Sequence, residues 1–462
     1  MSRVRYLFTT LQFRESDFYG RVGAELTRCG HEVAHVTYSR RAAAALRRKG
    51  FRAECLPDRM AALGPIADPE AEGRAIVERY SLPTLRDVWK TDPPCDGRPD
   101  AWCVERTVRH FRALEAVFGE LRPEVVVPEV GSETMRTAAH NIALERGAEV
   151  LFLFYTIFPD PLRLYRNTMH APIVSEQEVR ALSAAERADV EAFVARFTAA
   201  DKPIRAYRAA TVTPAKLRDF ARHIAVSATH DADNEYLRPH RFVTNVVRER
   251  SRAAAARRLY APLDPARPFV YFPLHVVDDY KIKRVIPHCY DQASLIEQVA
   301  DALPHGHELV LKEHPMSIGR NRLALLRRVA RIPNARLVAP HTSSHELMRR
   351  ADAIAVISST VGLEALLYFK PVLTLGQPFY GGYGVTVDVD SFREIREAVP
   401  TLLRFAPDHE RILRFLGAAM RACQPGAPTG VDDSDANART LARSLHEAVV
   451  VAPGREALAA AR

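Results

Sequence analysis

At 462 residues the chain is too long for one compact core, so two or three domains are expected. An apolar fraction of 47% supports large buried cores, and 26% charged residues fits a soluble surface. The formal net charge of +9 admits an anionic ligand, an acidic glycan or a membrane surface as partner, although many Arg-rich globular proteins carry this balance with no special partner.

The six cysteines are Cys29, Cys55, Cys95, Cys103, Cys289 and Cys423; no two form a C-x-x-C pair. They read as reduced thiols of a cytoplasmic protein, not as a disulfide framework or a zinc site. The N-terminus runs straight into a short strand and lacks the apolar core of a signal peptide. No stretch approaches the roughly 18 apolar residues needed to span a bilayer, so any contact with the inner membrane would be peripheral.

Val4–Thr10 reads as a first strand, followed by a loop over Leu11–Asp17 and a helix from about Phe18 to Cys29. Glu32–Thr37 is a strand, Arg41–Lys49 a helix stopped by Gly50, and Phe51–Leu56 a third strand. This rhythm implies parallel strands with right-handed crossovers. Residues 58–100 are rich in Pro, Asp and Gly and read as a partly helical insertion. Helix 101–121, strand 124–128, a helix opened by Glu129-Val-Gly131-Ser132 and strand 149–155 complete a Rossmann-like domain over 1–170. A helical connecting segment, 171–264, includes Glu176–Phe197 and Pro214–His223, with its most basic part at Arg248–Arg258. A second Rossmann-like domain spans 265–400, with strands 268–273, 308–312, 335–338, 353–357 and 371–375. Helices close the chain over 401–462, broken at Gln424–Asp435. The expected fold class is α/β, with two Rossmann-like domains facing a cleft.

Two strand ends in the second domain carry the strongest chemistry. The first is Leu309-Val-Leu-Lys312-Glu313-His314-Pro315. A histidine there can donate to a phosphate or protonate a leaving oxygen, and Pro315 restricts its backbone. Lys312 and Glu313 alternate in facing, so one is expected to reach the cleft while the other faces away. The second is Ser358-Ser359-Thr360-Val-Gly362, leading into a helix. Capping alone explains its hydroxyls; the same groups can hold a phosphate, with Gly362 allowing close approach of a ligand. Glu364, a turn further on, is placed to accept from ribose hydroxyls, although an acid in a first turn is also simply favourable. The carboxylates of Asp278 and Asp279, after His275, are expected to face a gap between domains, as nucleophile or base or sharing a proton, or as solvated loop acids.

Leu375–Thr386, with Tyr380, is rich in Gly and aromatics and can lie flat against a base or sugar; turn chemistry explains much of the same composition. In the first domain, Glu129 and Asp160 are weaker candidates for contacts across the cleft. No G-x-G-x-x-G follows the first strand, which disfavours a dinucleotide oxidoreductase, and P-loop, zincin and nucleophile-elbow motifs are absent. Asp388-Val-Asp390 imitates a metal-binding D-x-D but lies beyond the last strand, so no metal or other cofactor is expected.

The motifs Phe272-Pro273-Leu274, Val277-Asp278-Asp279, Lys312-Glu313-His314-Pro315, Pro333-Asn334, Ser358–Leu366, Lys370-Pro371-Val372 and Phe379-Tyr380 resemble, in this order, the bacterial capsule polysaccharide synthesis family, which includes β-Kdo transferases. The resemblance covers about residues 268–390. It implies a metal-independent GT-B-type glycosyltransferase taking a nucleotide sugar, with CMP-Kdo as the indicated donor, to a glycan or glycolipid acceptor. His314, Lys312 and Ser358–Thr360 would hold the nucleotide phosphate, and one of Asp278 and Asp279 would be the nucleophile of a retaining double displacement. His275 stands where members often carry Gln. A polyol-phosphate transferase, a nucleotide-sugar epimerase and a non-catalytic subunit of a polysaccharide-assembly complex remain as alternatives. Nucleic acid is not an expected partner.

Overall fold

The computed structural model describes residues 3–199, 239–276 and 279–450, with scattered residues between 218 and 236. Contacts divide the chain into two units. One is drawn from Met1–Met169, Ala215–Pro239 and Cys423–Arg462, the other from His170–Pro214 and His240–Ala422.

The first unit holds β1 (Arg5–Thr10), β2 (Glu32–Thr37), β3 (Arg52–Cys55), β4 (Val125–Pro128), β5 (Glu149–Tyr155) and β6 (Leu162–Arg166), in the order β3-β2-β1-β4-β5-β6. All neighbours are parallel except β5 and β6. This is the doubly wound order of a Rossmann sheet, reversing direction between β1 and β4. Alternate residues Tyr6, Phe8, Val125, Val127, Leu151 and Leu153 share a core with Phe18, Val22 and Leu26 of the helix Phe13–Arg28. That helix starts earlier than its periodicity suggests. Glu15 reaches back to the amides of Leu11 and Gln12 and closes the N-terminus before the first apolar residue of the buried face.

The last helix, Asp435–Val450, adds Leu441 and Leu445 to this same core. The closing helices therefore do not act together: His409–Arg421 belongs to the second unit and Asp435–Val450 to the first. The insertion resolves into short helices, Leu56–Ala61, Pro69–Arg79 and Arg86–Trp89. The expected helix Pro214–His223 lies mostly outside the described residues.

The second unit has β7 (Phe269–Pro273), β8 (Glu308–Lys312), β9 (Ala335–Val338), β10 (Ala353–Val356), β11 (Val372–Thr374) and β12 (Val387–Asp388). They lie in the order β12-β11-β10-β7-β8-β9, all parallel. It repeats the first sheet's winding, with the reversal between β7 and β10. Val270, Phe272, Leu309, Leu311, Ala353 and Ala355 pack on one face against Leu295, Ile296 and Val299. Strand alternation sends Tyr271, Lys312 and Ile354 to the other face. No helix among the described residues is long and apolar enough to cross a membrane.

Candidate functional site

Because β7 lies between β8 and β10, their carboxyl ends form one edge at the point where the winding reverses. His314 follows β8 and Ser358 follows β10, two strands that flank β7 in the sheet. Ligands of doubly wound sheets bind at such edges.

His314 is exposed and extended, at φ −64° and ψ 136°, as the following proline requires. The Met316 amide donates to its Nδ1 over 3.1 Å, which leaves the proton of the neutral ring on Nε2, free to point outward as a donor. Loss of hydration, then the Lys312 ammonium, lowers its pKa, while Asp279 opposes them. Behind it Glu313 is fully buried, accepting from Tyr260 and, over 2.6 Å, from Asn321 Nδ2. Of the neighbouring pair, then, it is Lys312 and Glu313 that are both packed away, and His314 that emerges.

Lys312 is 5% exposed and donates to Ser344 Oγ. Burial pushes its pKa down to about 8, against the pull of Glu364. Glu364 is half-buried and also faces Tyr271, so it belongs to a polar group on the sheet face that Lys312 occupies.

After β7 the chain enters a bend that Gln292 holds, its Oε1 accepting from the His275 amide at 2.8 Å and its Nε2 donating to the His275 carbonyl at 3.2 Å. The His275 ring is buried, and its Nε2 finds no hydrogen-bond partner among the described residues. It lies 4.0 Å from Asp279 Oδ2. Burial pushes its pKa down to about 4, with Asp279 opposing and Lys281 and His314 adding to the fall. Asp278 lies outside the described residues. Asp279 Oδ1 accepts from the Lys281 amide at 2.8 Å and so fixes the start of a π-helical turn, Lys281–Val285.

That turn supplies residues the motifs do not mark. The Lys281 ammonium stands 5.5 Å over the Phe379 ring, and burial lowers its pKa with Asp279 opposing. His170 joins it, bonded to Gln377, its pKa lowered by burial and by Lys281. Gln377 sits at φ +48°, a left-handed conformation uncommon outside glycine. Only that backbone strain, invisible in sequence, distinguishes it from an ordinary loop glutamine.

Ser358 is buried, Ser359 half-buried and Thr360 exposed. Ser359 caps the short helix Thr360–Leu366, accepting from the Val361 amide at 3.2 Å. Beneath the turn Tyr380 is fully buried and donates to the Ser359 carbonyl. Its phenol fills the space above Gly362 that the sequence reading left open for a ligand. Tyr380 thus supports the turn from below and does not lie flat against a bound ring. Asp388 accepts from Thr374 Oγ1 at 2.5 Å, Thr386 Oγ1 at 2.8 Å and the Gly382 amide at 2.9 Å. Its carboxylate organises the glycine-rich loop.

In the first unit Glu129 follows β4, where that sheet reverses. It accepts from buried Tyr19, and burial pushes its pKa up to about 7, with Arg136 opposing. Arg136 pairs with Glu15 at 3.1 Å and Glu133 at 3.0 Å. Asp160 is exposed beyond β5.

Residues 168–402, about half of the chain, match the family model described as capsule polysaccharide biosynthesis protein. The chain belongs to this family. Among relatives of the capsule polysaccharide family chain, Protein FixF of Sinorhizobium fredii is 30% identical over 166 residues, 35% of this chain and 40% of FixF. Capsule polysaccharide modification protein LipA of Neisseria meningitidis serogroup B is 30% identical over 120 residues, 26% of this chain and 17% of LipA. The match thus spans less than half of either relative. KpsC, a β-Kdo 2,7 transferase of Thermosulfurimonas dismutans, overlays with a TM-score of 0.32 at 19% identity, over 70% of this chain and 88% of that one, too loosely to bear on function.

Proposed function

We propose that this capsule-family chain is a glycosyltransferase that moves a sugar from a nucleotide donor, with CMP-Kdo the first to try, to a glycan or glycolipid acceptor. The observation that carries the reading is the edge of the second sheet. An exposed imidazole at His314 and an unpartnered buried nitrogen at His275 both feel one carboxylate, Asp279, and the hydroxyls of Ser359 and Thr360 follow β10 at the same carboxyl edge of the sheet. Such a set suits a negatively charged leaving group beside a nucleophile.

In this reading His314 Nε2–H and the Ser358–Thr360 turn hold the phosphate, with Lys312 and Glu364 behind them. A carboxylate oxygen of Asp279, or of Asp278, attacks the anomeric carbon as the bond to phosphate oxygen breaks. The phosphate leaves with the electron pair. An acceptor hydroxyl then attacks the same carbon, expels the carboxylate and gives its proton to a base. Configuration is retained after the two displacements. Glu129 and Asp160 stand as acceptor-side groups of the first unit, and no metal enters the scheme.

The test is a panel of labelled nucleotide sugars incubated with the full chain and glycolipid or oligosaccharide acceptors. Transfer of label to acceptor supports the reading. Transfer of a phospho-polyol, epimerisation of the free donor, or binding with no turnover would replace it with one of the alternatives.

A further inference from the structure

Resting on the glycosyltransferase reading, we infer that Lys281 is the residue whose charge meets the phosphate of the nucleotide leaving group. The sequence motif points to Lys312 for that task. Yet Lys312 is 5% exposed, lies on the sheet face away from Phe272 and Leu311, and gives its ammonium to Ser344 Oγ. Two of its three donors remain, yet at this depth little of the ammonium is open to an anion at the strand edge.

Lys281 is built differently. Its amide is fixed by Asp279 Oδ1 at 2.8 Å, and Ile282, fully buried, anchors the turn beneath it. The turn is a π-helical one, a geometry that inserts a residue and re-aims side chains. The ammonium lies 5.5 Å from the Phe379 ring centre, on the loop that follows β11. Lys281 acts electrostatically on His275 and on His170, whose neighbour Gln377 is held at φ +48°. Burial already disfavours the ammonium, so the protein bears the cost of keeping a charge there before any ligand arrives.

A second and independent observation points to a ligand. His275 Nε2 is buried and lacks a hydrogen-bond partner among the described residues, 4.0 Å from Asp279 Oδ2. A buried polar atom left unmatched normally has an absent partner. A phosphate oxygen between His275 and Lys281 supplies it, and Asp279 then stands beside the bond that breaks. Phe379 and the His170–Gln377 pair are further groups that the Lys281 ammonium faces.

The experiment uses calorimetric titration of the full chain with a nucleoside monophosphate, with the matching nucleoside, and with inorganic phosphate. The proteins are wild type, Lys281→Gln, Lys281→Arg and, as a control for the same change in charge two residues away, Lys283→Gln. Lys281→Gln should weaken the nucleotide by about tenfold or more, as expected for a charge-assisted contact, and move the nucleoside less than about twofold. Lys281→Arg should recover most of the loss, and Lys283→Gln should behave as wild type. Equal loss of nucleotide and nucleoside, or no loss of either, overturns the assignment. If no nucleotide binds wild type but inorganic phosphate does so through Lys281, the anion site stands and the glycosyltransferase reading falls. Phosphate binding indifferent to Lys281 overturns the inference itself.

Discussion

The phenol of Tyr380 stands where a β-carbon on Gly362 would be, and its hydroxyl closes onto the carbonyl of Ser359. The glycine is therefore a requirement of packing beneath the hydroxyl turn. Gly362→Ala is expected to cost about 1–3 kcal/mol, the range for overpacking a filled core. Replacing Tyr380 by a smaller apolar residue in the same protein should recover part of that cost, so the two changes will not add. Urea unfolding of the two single variants and the double variant measures this. Strict additivity would mean that the two residues do not share the space.

Asp279 raises the pKa of both His275 and His314, opposing burial at each ring. Asp279→Asn should lower both values further, so that each ring stays neutral to still lower pH. Proton-detected titration of the histidine resonances checks the shift. Unchanged values at both rings would show that the carboxylate does not face them.

Glu313 is sealed behind His314 and takes the hydroxyl of Tyr260 and the amide of Asn321. Glu313→Leu leaves the buried Asn321 amide without this acceptor and releases the half-buried Tyr260 hydroxyl, an expected cost of about 1–3 kcal/mol, mostly from the one buried donor. Glu313→Gln keeps an acceptor and should cost less. Thermal unfolding ranks the variants, and the reverse ranking would contradict the contact.

Glu129 is a carboxyl whose folded pKa, about 7, lies above its ordinary value. Between those two values the native state holds a proton that the unfolded chain has released. The resulting stability is complete at low pH and is lost as pH rises through about 7. Glu129→Gln removes the charge while its amide oxygen still accepts from Tyr19. It should therefore stabilise the protein above pH 7 by about 1–3 kcal/mol, discounted for partial exposure, and change little below pH 4. Urea melts at pH 4 and pH 8.5 make the comparison. Equal effects at both pH values would place Glu129 in contact with water.

Most strands were legible because parallel strands covered on both faces are short apolar runs with clear stops, as in Val125–Pro128 and Ala353–Val356. Motif order gave the family through residues 268–390. The edge strands Leu162–Arg166 and Val387–Asp388 escaped because one is polar at alternate positions and the other is two residues long. The return of Asp435–Val450 to the first unit rests on which apolar face meets Phe18 and Leu26, and periodicity alone does not say which core a face will find. At the site, the motif identified Lys312 by type, but only the fold shows its ammonium bonded to Ser344. Lys281 was missed because a lysine after a pair of acids reads as a solvated loop until the π turn re-aims it.

The central claim is that the carboxyl edge of β7, β8 and β10 holds the leaving nucleotide while sugar is transferred. Its most direct test is timed transfer of label from CMP-, UDP-, GDP- and CDP-sugars by the wild-type chain and by His314→Ala. His314→Ala loses the bond that the ring accepts from the Met316 amide, so it should cost about 0.5–2 kcal/mol and leave the protein folded. Transfer from one nucleotide class by wild type, abolished in a His314→Ala protein that is still folded by thermal unfolding, is the expected result. Full transfer by a folded His314→Ala protein would contradict the claim.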